Sequence, residues 1–201
     1  MSRELPLFPL QAVLFPGGLL GLKVFEARYL DLVADCLRDG SAFGVVALRS
    51  GREVRSGDDR VNFESIGTLA QLIDVDSDRP GILQVSCRGT QRFRVRSQQQ
   101  RADGLWLAAT EPIADDPVLP PSAALAGTVR GLADAIESLK AQQTEPFLAP
   151  YRFDDAGWVA NRWCEILPLP LEAKQRLLTL ENPVARLDVV DSLLKVRQPE
   201  P

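Results

Sequence analysis

Leu5-Pro6-Leu7-Phe8-Pro9-Leu10 opens a stretch that continues through Val13-Leu14-Phe15-Pro16-Gly17-Gly18 and Leu20-Gly21-Leu22-Lys23-Val24-Phe25-Glu26-Ala27-Arg28-Tyr29 to Phe43-Gly44-Val45-Val46-Ala47-Leu48. β-favouring apolar runs separated by Pro-Gly punctuation, with one interposed segment of helical period, spell strand, turn, strand, helix, strand. Pro6 and Pro9 cannot donate to a ladder, so the first strand is expected at a sheet edge or broken by a bulge. Pro16-Gly17 suits a type II turn. Between Glu26 and Asp39 the apolar residues Tyr29, Leu30, Val33, Cys36 and Leu37 recur at helical spacing. Arg28, Asp31, Asp35 and Arg38 line the other face, which predicts a helix covering a sheet and ending at Gly40. The unbroken apolar run Phe43 to Leu48 predicts a strand buried on both faces.

Working outward, Arg49 to Asp59 is polar and glycine-containing, a loop. Its Gly51 and Gly57 do not make a phosphate loop, because Asp58 stands where Lys is required. Ile66 to Val75 and Leu83 to Arg88 form a hairpin across the turn-rich Asp76 to Gly81. Gln91 to Arg96 then forms another strand, with Phe93 and Val95 on one face and Arg92, Arg94 and Arg96 on the other. Leu105 to Ala109 completes an all-β unit with one covering helix by about Ile113. The acidic, proline-rich segment Ala114 to Pro121 marks a boundary, dividing a β-rich subdomain (1–114) from a helical subdomain (122–198) by a linker (115–121). In the helical part Leu125, Val129, Leu132, Ile136 and Leu139 form one seam. Trp158, Val159, Trp163, Ile166 and Leu167 form a second, Pro170 opens a third helix, and Asn182-Pro183 caps a last one carrying Leu187, Val190 and Leu194. The expected class is α+β: a β-rich unit with one covering helix, then a small helical bundle.

The Leu-Pro-Leu-Phe-Pro strand, the Phe-Pro-Gly turn, the Phe-Glu-x-Arg-Tyr helix start and the Phe-Gly-Val-Val strand together resemble the N-terminal, substrate-recognition domain of Lon protease. The later Ile66-Gly67-Thr68 and Gly89-x-x-Arg92-Phe93 segments match the same pattern, and the resemblance covers nearly the whole chain. It implies a PUA-like β pseudobarrel followed by helices, and a stand-alone module that binds polypeptide. The ATPase and Ser-Lys protease that follow this domain in Lon lie outside the sequence, and Lys23, Lys140, Lys174 and Lys195 sit in no phosphate loop. The resemblance therefore implies neither ATP hydrolysis nor peptide cleavage.

Composition narrows the alternatives. With 45% hydrophobic and 25% charged residues, the 201-residue chain has the make-up of a folded globular protein. It has no histidine, which removes imidazole bases and histidine-containing zinc sites. Its net charge of -4 argues against nonspecific binding to nucleic acid or anionic lipid. No apolar run reaches the roughly 20 residues that span a bilayer, and a cytoplasmic location is the expectation. Cys36, Cys87 and Cys164, single and widely spaced, are expected to be buried thiols, with no cofactor and no metal site.

The leading functional expectation is recognition of unfolded or apolar-rich polypeptides, with a protease or chaperone as an accompanying partner. Binding would use a groove between the β unit and the helices, or strand addition at a sheet edge. Leu5, Leu7, Phe8, Phe15 and Leu19 are the expected contacts. Two alternatives are RNA binding through Arg88, Arg92, Arg94, Arg96 and Arg101, and catalysis by one of the carboxylate pairs Asp58-Asp59, Asp115-Asp116 and Asp154-Asp155.

Overall fold

A computed structural model describes residues 4–50 and 61–197, and the chain divides into two compact units, Met1–Ala114 and Asp115–Pro201. The first unit holds strands β1 (Leu5–Leu10), β2 (Leu19–Val24), β3 (Phe43–Ser50), β4 (Asn62–Phe63), β5 (Ile66–Arg79), β6 (Ile82–Gln100) and β7 (Trp106–Pro112), with helix α1 (Ala27–Asp39) between β2 and β3. The ladders run β1-β7-β6-β5-β3, and a parallel pairing of β1 with β3 closes them into a ring. The result is the expected pseudobarrel. β4 pairs antiparallel with the end of β3, and β2 pairs with the first part of β6 beyond the ring.

Closure explains the apolar patterning. Along β3, Phe43 and Val45 join Tyr29, Leu32 and Val33 of α1 in one core, while Val46 and Leu48 turn to a second core with Leu7, Phe63 and Phe93. A strand buried on both faces has no polar side to alternate with. β1 divides likewise, Phe8 to the helix side and Leu7 to the other.

The edge position expected for β1 is not what forms. It pairs with β7 over Leu5–Leu7 and with β3 over Leu7–Leu10. Pro6 thus lies outside the β3 ladder and Pro9 outside the β7 ladder, so each missing N–H falls where one partner is absent.

The two short strands expected around Gly89 are one continuous strand, β6. Gly89 marks a close approach and not a break. The turn Phe15-Pro16-Gly17-Gly18 docks there, with Gly17 N–H donating to the Gly89 carbonyl (2.7 Å) and Gly89 N–H donating to the Gly18 carbonyl (2.9 Å). A Cβ at position 89 would collide with the Phe15 carbonyl. The turn itself is the expected one: Gly18 N–H donates to Phe15 O at 2.9 Å, and Gly17 takes φ 76°.

On α1 the buried residues are Tyr29, Leu32, Val33 and Cys36, and Gly40 ends the helix at φ 63°. Leu37, expected to face inward, is 57% exposed. It lies about 90° around the helix from the centre of the buried stripe, in the last turn. Leu32, passed over in the sequence, takes an inward position. Arg28 is also displaced from expectation: its side chain is 8% exposed and bonded within the fold.

The second unit contains a 3-10 turn (Ala123–Leu125) followed by α2 (Ala126–Ala141), α3 (Ala156–Ile166), α4 (Leu171–Thr179) and α5 (Pro183–Arg197). Every residue of α3 from Ala156 to Arg162 is buried. Asp155 caps it, accepting from Gly157 N–H (3.0 Å) and Trp158 N–H (3.3 Å). Asn182 caps α5 through Val184 N–H (2.9 Å) and Ala185 N–H (3.0 Å).

Buried Arg186 ties the pieces together. It donates to Asp116 (2.6 Å), Asn161 (3.0 Å) and the carbonyls of Leu177 (3.0 Å) and Leu180. Ala156 N–H also bonds the Leu119 carbonyl at 2.8 Å. The proline-rich segment 115–121 is therefore fastened to the helical unit. No helix among the described residues is long and apolar enough to cross a membrane. Most of the loop expected from Arg49 to Asp59 lies outside the described residues, although Arg49 itself continues β3.

Replacing Leu32 with Ala should cost about 2–5 kcal/mol of stability, as for other buried leucines. Replacing Leu37 should change it by less than about 0.5 kcal/mol. Urea unfolding of the two variants checks this, and equal losses would contradict the assigned helix face.

Candidate functional site

β7 pairs with β1 no further than Leu7, opposite Trp106. β2 and β7 both pair antiparallel with β6, β2 along Leu83–Arg88 and β7 along Phe93–Gln100. Beyond Leu7 the sheet has a gap between β1 and β2, and a cavity of about 300 Å³ occupies it. Phe8, Leu10 and Ala12 form one wall, Leu20, Leu22 and Val24 the other, and Tyr29 of α1 contributes from the helix side. Phe25 stands at the rim, 50% exposed, and among the described residues Lys23 and Glu26 are the charged groups of the lining.

The start of α1 fixes this groove. Tyr29 stacks on Phe8 with ring centroids 3.8 Å apart and planes 7° from parallel. The Arg28 guanidinium lies 4.6 Å from the Tyr29 ring centre, pairs with Glu26 at 2.9 Å and donates to the Gly104 carbonyl at 2.8 Å. A cation desolvated over an aromatic face and bonded on both sides holds its neighbours in one geometry. The Phe25-Glu26-x-Arg28-Tyr29 motif therefore builds a wall, with Phe25 left outward.

Of the five residues singled out in the sequence, the structure brings only Phe8 to this groove, where it is 7% exposed. Leu7 and Phe15 are fully buried, so neither presents a surface. The apolar character that suggests a contact is what buries both. Leu5 is half-buried against the barrel-interior core, and Leu19 is exposed on the opposite face of β2 from Leu20 and Leu22. Leu10, Leu20, Leu22 and Phe25 were missed. The alternation of Leu20, Leu22 and Val24 was the available signal.

The arginines do not form one face. β5 and β6 shift register between Thr68–Arg92 and Ala70–Gly89, and Arg92 is buried beside Phe93. Arg96 pairs with Glu111, and Arg101 pairs with Asp103 at 2.8 Å. The Asp115-Asp116 and Asp154-Asp155 pairs supply the Arg186 partner and the α3 cap, and Asp58-Asp59 lies outside the described residues. Among the described residues no group of three or more cysteine, aspartate and glutamate side chains could hold a metal ion. The three cysteines are buried thiols outside any disulfide, and burial pushes the Cys87 and Cys164 thiols up to about 12. Trp158 sits among Phe147, Tyr151 and Phe153, and Trp163 donates to the Thr128 carbonyl at 3.0 Å.

A model of the ATP-dependent protease La (LON) substrate-binding domain matches residues 4–196. The chain belongs to the Lon substrate-binding domain family. Lon proteases are among its relatives: that of Anaeromyxobacter dehalogenans is 28% identical over 94% of this chain, and Lon protease 2 of Myxococcus xanthus is 28% identical over 96%. The chain spans only 23% and 24% of their lengths. A crystal structure of a Lon N-terminal domain protein from Xanthomonas campestris is 34% identical, with a TM-score of 0.71 and coverage of 98% of this chain and 99% of that one. The N-terminal domain of a Mycobacterium avium complex Lon protease shares the fold at 12% identity, with a TM-score of 0.64 over 98% of this chain and 100% of that one.

In this Lon-family chain one further ionisable group stands out. Burial pushes the Glu165 carboxyl up to about 7, against the opposing charges of Arg162 and Lys174. Arg162 bonds it at 2.7 Å, and Lys174 donates to the Glu165 carbonyl at 3.0 Å. Between the ordinary value of 4.5 and about 7 the folded protein holds a proton that the unfolded chain has released. Stability should therefore fall as pH rises through that window. Urea midpoints at pH 5 and pH 7.5 measure the fall, and Glu165→Gln should flatten it. An unchanged slope in that variant would assign the pH dependence elsewhere.

Proposed function

We propose that this chain is a non-catalytic recognition module that holds unfolded or apolar-rich polypeptide in the groove between β1 and β2, in the cytoplasm, with a separate protease or chaperone as its partner. One observation carries the reading: a gap in an otherwise closed sheet, with walls of Phe8, Leu10, Leu20, Leu22 and Tyr29 and a half-exposed aromatic at the rim. Membership of a substrate-binding domain family supports it. A concave, mostly apolar surface with few polar groups suits apolar side chains and gives little sequence discrimination.

Affinity should be modest. The groove is open and ordering a flexible ligand is costly, so micromolar or weaker binding is expected, on the order of -8 kcal/mol or less favourable. Fluorescence anisotropy with a reduced, carboxymethylated and permanently unfolded reporter protein tests the site. Phe25→Ala and Leu20→Ser should each weaken binding about tenfold, the effect of truncating a central apolar contact. Val189→Ser, on the exposed face of α5, should leave it unchanged. Binding insensitive to the two groove substitutions, or no binding at all, would overturn the proposal.

A further inference from the structure

Among the described residues β2 is an edge strand that pairs with β6 alone. Its register and one hydrogen bond determine which way each peptide group points. Gly89 N–H donates to the Gly18 carbonyl, and the register pairs Leu20 with Cys87 and Leu22 with Val85. In an antiparallel ladder this parity turns the N–H and C=O of Leu20, Leu22 and Val24 toward β6. The N–H and C=O of Leu19, Gly21 and Lys23 therefore point away from β6, and among the described residues no strand meets them there.

Three features coincide at this edge. The outward peptide groups form a donor–acceptor row about six residues long, roughly 20 Å. The groove is lined by Leu20, Leu22 and Val24, which share one face of β2 because side chains alternate. The central outward residue is Gly21, and a Cβ there would meet none of the described residues within 4 Å, so a neighbouring chain can come close. Across the gap, Pro9 has no N–H to offer, so pairing on the β1 side is weaker than on β2.

We infer that the ligand of this groove is an extended polypeptide strand that pairs through its backbone with the outer edge of β2, and that every second side chain of that strand enters the groove. The inference rests on the recognition reading above and specifies its mode. The backbone supplies affinity without regard to sequence, and the groove selects segments with apolar residues at alternate positions. A helical segment, which uses its own peptide groups internally, is not a ligand of this edge.

Backbone substitution in the ligand separates this mode from simple apolar contact. The probe is a fluorescein-labelled eight-residue peptide in which leucine alternates with serine, studied with the full chain. N-methylation at one set of alternate residues should weaken binding about tenfold or more, and at the other set less than about threefold. The sensitive set is the serines for antiparallel addition and the leucines for parallel addition, and either pattern supports the inference. Gly21→Pro, which removes an outward N–H and leaves the β6 ladder intact, should weaken the unmodified peptide by a similar factor. The N-methyl series keeps the test decisive if that variant fails to fold.

Binding that is equally tolerant of methylation at both sets overturns strand addition while leaving groove recognition standing. Absence of any binding by the unmodified peptide, together with insensitivity of the unfolded reporter to Phe25→Ala, removes both. A concentration-dependent dimer that dissociates in Gly21→Pro and binds no peptide would overturn the inference in favour of a second copy at the edge.

Discussion

β1 must serve two ladders at once, and its two prolines mark where each begins or ends. Pro6 lies before the β3 pairing starts and Pro9 lies after the β7 pairing has stopped. Because the two positions differ in parity, their absent amide protons belong to opposite sides of the strand. The ring closes through the residues between them. This division lets a six-residue strand complete a barrel and still leave an opening beside its second half.

The opening is braced by α1. Tyr29 stacked on Phe8 and Arg28 bonded to Glu26 and Gly104 hold the helix start against the sheet at the level where β7 has ended. The docked Phe15–Gly18 turn performs the same task at the other end of β2, fixing its entry onto β6 at Gly89. The motifs that mark the family in this chain are therefore the parts that frame a groove. Its lining is supplied by the ordinary leucines between them.

Much of the architecture was legible because it rests on local rules. Pro16-Gly17, Gly40, Asn182 and the run Phe43 to Leu48 each have one economical conformation, and each adopts it. What was not legible depends on long-range pairing. Pro6 and Pro9 suggested an edge because a sequence does not show that two partners share one strand by halves. Arg92 looked exposed because alternation does not show that the face opposite Phe93 is covered as well, where its ladder partner Thr68 is also buried. Leu37 and Leu32 exchanged roles because the stripe facing a sheet is centred by the sheet and not by hydrophobicity alone. For the site, apolar character pointed to Leu7 and Phe15, which the core absorbs, while the groove is defined by where a ladder stops.

The central claim is that polypeptide occupies the gap between β1 and β2. Titrating the isotopically labelled protein with an unfolded apolar peptide, followed by amide chemical shifts, locates the contact directly. The account predicts concentration-dependent shifts concentrated at Leu10, Ala12, residues 19–25 and Tyr29, with the α2 to α5 amides unmoved. Shifts confined to the helical unit, with β2 silent, would contradict it.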